Sequence, residues 1–134
     1  MPAAPVIRFR VDFGPNSSVG PGKIGLLEEI GAVHSLSQAA RNQGMSYRRA
    51  WLLISSLNKS FDEPATTAST GGRGGGGAEL TPFGRSLISA YRAFEKDTLE
   101  AGAKRFHAIA NRAIRGTEIR KGSLRQRLSR KSAR

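Results

Sequence analysis

A mostly α-helical fold with a small β-component is what three features of this 134-residue sequence predict. Apolar residues recur at helical spacing over several separate stretches. Two of these stretches are short, broken at Gly44 and restarted at Ser46. A threonine-rich run, a glycine loop and a short return run then follow directly, before a Thr81-Pro82 helix start. In order these read strand, helix, helix-turn-helix, wing, helix. The architecture expected is a winged helix-turn-helix with an N-terminal strand and a long C-terminal dimerisation helix.

The first element is a half-buried strand over Val6 to Phe13. Ile7, Phe9, Val11 and Phe13 alternate with Arg8, Arg10 and Asp12, the period of two that a strand requires. Gly14-Pro15-Asn16-Ser17-Ser18 and Gly20-Pro21-Gly22 make a turn-rich connector. A helix from about Lys23 to Val33 buries Leu26, Leu27, Ile30 and Val33. Ser37 is the expected N-cap of a short helix that Gly44 ends in a left-handed conformation. Met45 is an apolar plug, and Ser46 caps a third helix from Tyr47 to about Phe61. Its inner stripe is Ala50, Trp51, Ile54, Leu57 and Phe61, with Trp51 assigned to the core. Ala40 before Gly44 and Met45 after it supply the small residue, tight turn and apolar plug of a helix-turn-helix, although a plain helical hairpin has the same outline.

Ala65 to Thr70 suit a strand, Gly71 to Gly77 a glycine loop broken only by Arg73, and Ala78-Glu79-Leu80 the partner strand. Thr81 caps the fourth helix, with Pro82 at its first position, where no amide is needed. That helix carries Phe83, Leu87, Tyr91, Phe94 and Thr98 on one stripe, more than a small core needs to cover. A homodimer is therefore expected, with Ile7, Phe9, Leu87, Tyr91 and Phe94 in the interface. Gly102 is expected to end or kink the helix, with a further short helix through Phe106, Ile109 and Ala113.

The net charge of +12 is unevenly distributed. Residues 1–103 hold 11 basic and 9 acidic residues, a net of +2. Residues 104–134 hold 11 basic residues and only Glu118, a net of +10. The division expected is a DNA-binding domain with its dimerisation helix over 1–103, a short basic helix over 104–120 and a disordered basic tail over 121–134. Such a surplus attracts polyanions. The same composition excludes disulfides, thiolate metal sites and cysteine nucleophiles, since there is no cysteine, and two histidines make a multi-histidine centre hard to build. No apolar run is long enough to span a bilayer, and Met1 to Val6 lacks the pattern of a signal peptide. A cytoplasmic, nucleoid-associated, non-enzymatic protein without cofactor or metal is expected. The glycine loop lacks the Lys-Ser/Thr of a phosphate-binding P-loop.

The run from Gly20-Pro21-Gly22-Lys23 to Leu27, then Ser37-Gln38-Ala39-Ala40, Gly44-Met45-Ser46-Tyr47-Arg48-Arg49-Ala50-Trp51 and Asn58, resembles the N-terminal domain of the ModE family of molybdate-responsive regulators. Thr70 to Ala78, with Leu80-Thr81 and Gly84, is similar to that family's wing, and the likeness extends over roughly residues 6–100. The resemblance implies a LysR-like winged helix that dimerises and regulates transcription. ModE proteins also carry C-terminal oxyanion-binding barrels. Residues 104–134 are too few and too basic for one, so molybdate binding by this chain is not expected.

Double-stranded DNA is the partner expected. Ser46, Tyr47, Arg48 and Arg49 lie at the N-terminal end of the recognition helix, which meets base edges in the major groove. Arginine is the commonest reader of guanine; Arg48 is assigned the base edge and Arg49 a phosphate. Tyr47 suits a thymine methyl, a phosphate or the core. Ser37 and Gln38 can donate to a phosphate from the preceding helix start, Lys23 can neutralise another, and Arg73 suits the backbone or the minor groove. Two rivals remain: a non-specific architectural binder, and a heterodimerising partner of a full-length ModE-type regulator.

Overall fold

A computed structural model describes residues 6–69 and 77–114, which divide between two units, Arg8–Lys96 and Met1–Ile7 with Asp97–Arg134. The described chain is mostly helical with two small antiparallel sheets. Arg73 and residues 115–134 lie outside the described residues, as do most of the glycine loop and the expected tail.

In the larger unit the alternation of burial begins as expected, with Phe9 and Val11 half-buried and Arg8 and Arg10 exposed. The strand itself starts later. Strand β1 (Val11–Gly14) pairs with β2 (Ser17–Val19) across Pro15-Asn16, with an irregular register between Asp12 and Gly14. Two expectations are corrected here. Residues 6–10 have no ladder partner and form no strand, and part of the supposed connector is the second strand of a hairpin. Phe13 is exposed, although it meets the Phe61 ring edge-on at 5.3 Å. Phe9 is held by tertiary contact instead: its ring stacks on Tyr91 at 4.7 Å, and its carbonyl accepts the Tyr91 hydroxyl at 3.1 Å.

Helix α1 (Pro21–Val33) begins with proline at its first position and buries Ile24, Leu26, Leu27 and Ile30 completely. His34 closes it in the left-handed region, φ 55°, its N–H bonded to the Ile30 carbonyl at 2.9 Å. Helix α2 (Leu36–Asn42) is capped by Ser35, whose hydroxyl accepts the Gln38 N–H at 3.1 Å. Ser37 is thus not the cap; it lies inside the first turn and accepts from Arg41 at 3.2 Å. At the other end Gly44 takes φ +68°, its N–H bonded to Arg41 O, while Met45 N–H reaches Ala40 O, both at 3.0 Å. This pair of bonds is the Schellman closure, and only glycine adopts its left-handed residue without strain.

Helix α3 (Tyr47–Ser60) is capped by Ser46, which accepts the Arg49 N–H at 3.1 Å. Ala50, Ile54 and Leu57 form its buried stripe. Trp51 does not belong to the core: its side chain is 50% exposed. The neighbour of buried Ala50 is turned about 100° away from it, off the buried face.

Strands β3 (Thr66–Ser69) and β4 (Gly77–Leu80) pair in register, Thr66 with Leu80 and Ser69 with Gly77. Asn58 of α3 anchors this hairpin. Its Oδ1 accepts Ala65 N–H at 2.8 Å and Thr66 N–H at 3.2 Å, and its Nδ2 donates to Thr66 Oγ1 at 3.0 Å. From the other side Ala78 N–H donates to the His34 carbonyl at 3.1 Å. Helix α4 (Pro82–Ala110) starts at Thr81, whose hydroxyl accepts Gly84 N–H and donates to Pro64 O. Gly84 is buried against the Ala65 carbonyl, where any Cβ would overlap backbone. Arg92 of α4 grips both Glu28 oxygens, at 2.5 and 3.1 Å, and Glu95 at 2.8 Å. The Glu28 bonds join α4 to α1, and both carboxylates hold the guanidinium pKa above its ordinary value, chiefly Glu28.

In the smaller unit α4 continues to Ala110, so Gly102 does not end it; Phe106 and Ile109 of the expected separate helix lie in its last turns, and Ala113 lies beyond its end. Gly102 is buried facing Ile7. One glycine costs a helix only about 1 kcal/mol relative to alanine. Leu99, Phe106 and Ile109 are exposed.

Candidate nucleic-acid interface

Two capped helices joined by the Gly44-Met45 turn set the geometry of this surface. Fixing α2 with Ser35 and α3 with Ser46 leaves the first turn of α3 at the surface. Tyr47, Arg48 and Arg49 are all exposed there. The helix period sends Arg48 nearly opposite the buried Ala50, Ile54 and Leu57, with Tyr47 and Trp51 on one flank and Arg49 on the other. Neither arginine forms an ion pair among the described residues.

The electrostatics follow from composition. From Ser35 to Ser60 the chain has Arg41, Arg48, Arg49 and Lys59 and no carboxylate side chain. A polyanion meeting this segment finds cations and hydroxyls, with no like charge on α2 or α3 to repel it. No set of three or more His, Cys, Asp or Glu side chains converges among the described residues.

The remaining expected contacts are placed differently from one another. Gln38 is exposed, and its amide donates to Asn42 Oδ1 at 2.9 Å; Asn42 in turn donates to Glu29 at 2.9 Å. Ser46 uses a lone pair as a cap, so its O–H is left to donate outward. Lys23 turns back to Ser18 O at 2.7 Å, and partial burial lowers its pKa. That bond occupies one of its three donors. Of the interface residues expected for a dimer, Tyr91 is buried within its own chain, Phe9 and Leu87 pack on the core, and Phe94 is 54% exposed. Ile7, in the smaller unit, is half-buried.

Two exposed apolar residues of α3 were not anticipated, Trp51 and Leu52. Leu52 falls outside the Ala50, Ile54, Leu57 stripe, so helical spacing alone could have placed it at the surface. Asn58 has no comparable signal, because its partners become neighbours only once the hairpin folds back.

No protein-family model matches the chain. Curated relatives do. The molybdenum-pterin-binding protein MopB of Rhodobacter capsulatus is 38% identical over 105 residues, 76% of this chain and 39% of MopB. The transcriptional regulator ModE of Yersinia pestis is 44% identical over 71 residues, 53% of this chain and 27% of that protein. The DNA-binding transcriptional dual regulator ModE of Escherichia coli K12 is 42% identical over a stretch of the same length. This chain is homologous to ModE and to the Mop proteins. The matches span less than two fifths of these relatives' own length. Those relatives are named as regulators or molybdenum-pterin binders, not as enzymes. The Mop names give no support to the expectation that this chain leaves molybdate unbound. No described helix is long and apolar enough to cross a membrane.

Proposed function

We propose that this chain is a sequence-specific, double-stranded DNA-binding transcriptional regulator, built as the winged helix-turn-helix domain of a ModE-type protein. In this reading α3 enters the major groove, and Arg48 reads a guanine edge while Arg49 holds a phosphate. The β3–β4 hairpin is the wing, and its loop carries Arg73 to the backbone or minor groove. Ser37, Gln38 and Ser46 donate to phosphates, and Lys23 adds a weaker electrostatic contribution. The chain acts as a cytoplasmic, nucleoid-associated homodimer, and residues 121–134 add non-specific affinity.

The observation that carries the proposal is that α2 and α3 contribute no carboxylate side chain of their own, with two exposed arginines on the first turn of α3. The names of the ModE relatives support it. The test is selection of duplexes from a random-sequence pool by the full 134-residue chain. Enrichment of a two-fold symmetric site is expected. Binding without enrichment would mean an architectural binder instead. Repeating the measurement with molybdate present reads whether the oxyanion changes affinity, and mapping bound sites in cells reads whether molybdenum-related genes are the targets.

A further inference from the structure

The largest unexplained apolar group of the larger unit lies on the proposed recognition helix. Trp51 is 50% exposed and Tyr47, one turn earlier, 57% exposed. Side chains four apart on a helix are neighbours about 6 Å apart, so the two rings form one aromatic flank beside Arg48. The interior of the same helix is filled by Ala50, Ile54 and Leu57, each no more than 7% exposed, so Trp51 is not needed to complete the core. Its indole N–H has no hydrogen-bond partner among the described residues. A bulky indole left half in water beside exposed Arg48 and Leu52 calls for a ligand that offers apolar surface within an anionic frame.

We infer that Trp51, supported by Tyr47, is a direct sequence reader that packs against thymine methyl groups in the major groove. This rests on the DNA-binding reading above and goes beyond it in naming the base. The 5-methyl of thymine is the one apolar group on the major-groove edge of the four bases. Charge complementarity selects the duplex as occupant, since the segment Ser35 to Ser60 that carries the rings holds four cations and no carboxylate side chain. The indole N–H is then free to donate to the O4 of the same or an adjacent thymine. The preferred site should hold thymine beside the guanine that Arg48 contacts.

The experiment uses duplexes recovered from the random pool by the full chain. Each thymine is then replaced singly by deoxyuridine, which deletes the methyl and nothing else. Wild-type binding should fall about fivefold at one or two positions. Trp51→Ala should bind the selected duplex about tenfold more weakly and a random duplex within about twofold, with no further loss on deoxyuridine. Trp51→Phe should restore part of the loss, and its Tm and circular dichroism check that folding is unchanged. Because Trp51 is the sole tryptophan, its emission should also change on adding the selected duplex. The inference is overturned if every deoxyuridine duplex binds wild type equally well, or if Trp51→Ala weakens selected and random duplexes alike. An emission change on raising protein concentration without DNA would assign the face to a second copy. If the wild-type chain enriches no sequence at all, the DNA-reading proposal itself fails; enrichment with full Trp51→Ala affinity removes only the role of the tryptophan.

Discussion

Arg48 and Arg49 are adjacent in sequence, yet a helix turns them about 100° apart, so a single groove cannot receive both in the same way. Arg48 points away from the buried stripe of α3 and Arg49 leaves toward one flank. Arg48→Ala should therefore lower affinity for the preferred duplex by about tenfold or more and leave random duplexes nearly unchanged. Arg73→Ala should weaken all sequences alike and reduce the salt slope by about 1. Fluorescence anisotropy titrations at several salt concentrations measure both. Asn58 acts at the same scale without touching a ligand, since its amide satisfies the N–H groups of Ala65 and Thr66. Asn58→Ala strands those donors and should cost about 1–3 kcal/mol in urea denaturation. Asn58→Asp keeps the acceptor oxygen and should cost less.

Between elements, the contacts that position the hairpin come from both sides. Asn58 holds β3 to the end of α3, and the His34 carbonyl holds β4 to the end of α1. The left-handed His34 turns the chain so that this carbonyl meets Ala78. Helix α4 is tied within the larger unit by Arg92 to Glu28 and by the Tyr91 hydroxyl to Phe9 O. Tyr91 is thereby consumed by its own chain, which leaves Phe94 as the expected interface residue with most surface to offer. If Phe94 packs across a dimer, Phe94→Glu should shift sedimentation toward monomer and leave Tm within a few degrees of wild type. An unchanged dimer would place the interface elsewhere.

Over the whole molecule, net charge and sequence reading separate. Residues 1–103 carry +2 and residues 104–134 carry +10, so most of the net charge able to attract a polyanion belongs to residues 104–134. Deleting residues 121–134 removes six basic side chains. If all six neutralise phosphates, the slope of log affinity against log salt should flatten by about 5, with site preference intact. Loss of preference in the selection experiment would instead make that segment part of the reading surface.

The sequence by itself determined the helices, the Gly44 turn, the Ser46 and Thr81 caps and the β3–β4 pairing. All but the strand pairing, which reaches from Thr66 to Leu80, depend on residues within a few positions of one another, where capping, left-handed φ and periodicity act locally. The start of β1, the β1–β2 hairpin, the continuity of α4 through Gly102 and the exposure of Trp51 were decided only by tertiary structure. A strand needs a partner, a glycine yields to its packing, and a side chain beside a buried stripe is buried or exposed according to what lies opposite. Local patterns are silent on all three. Trp51 belongs to this second group: the period of α3 brought it to the edge of the core, and the packing of the unit left it in solvent.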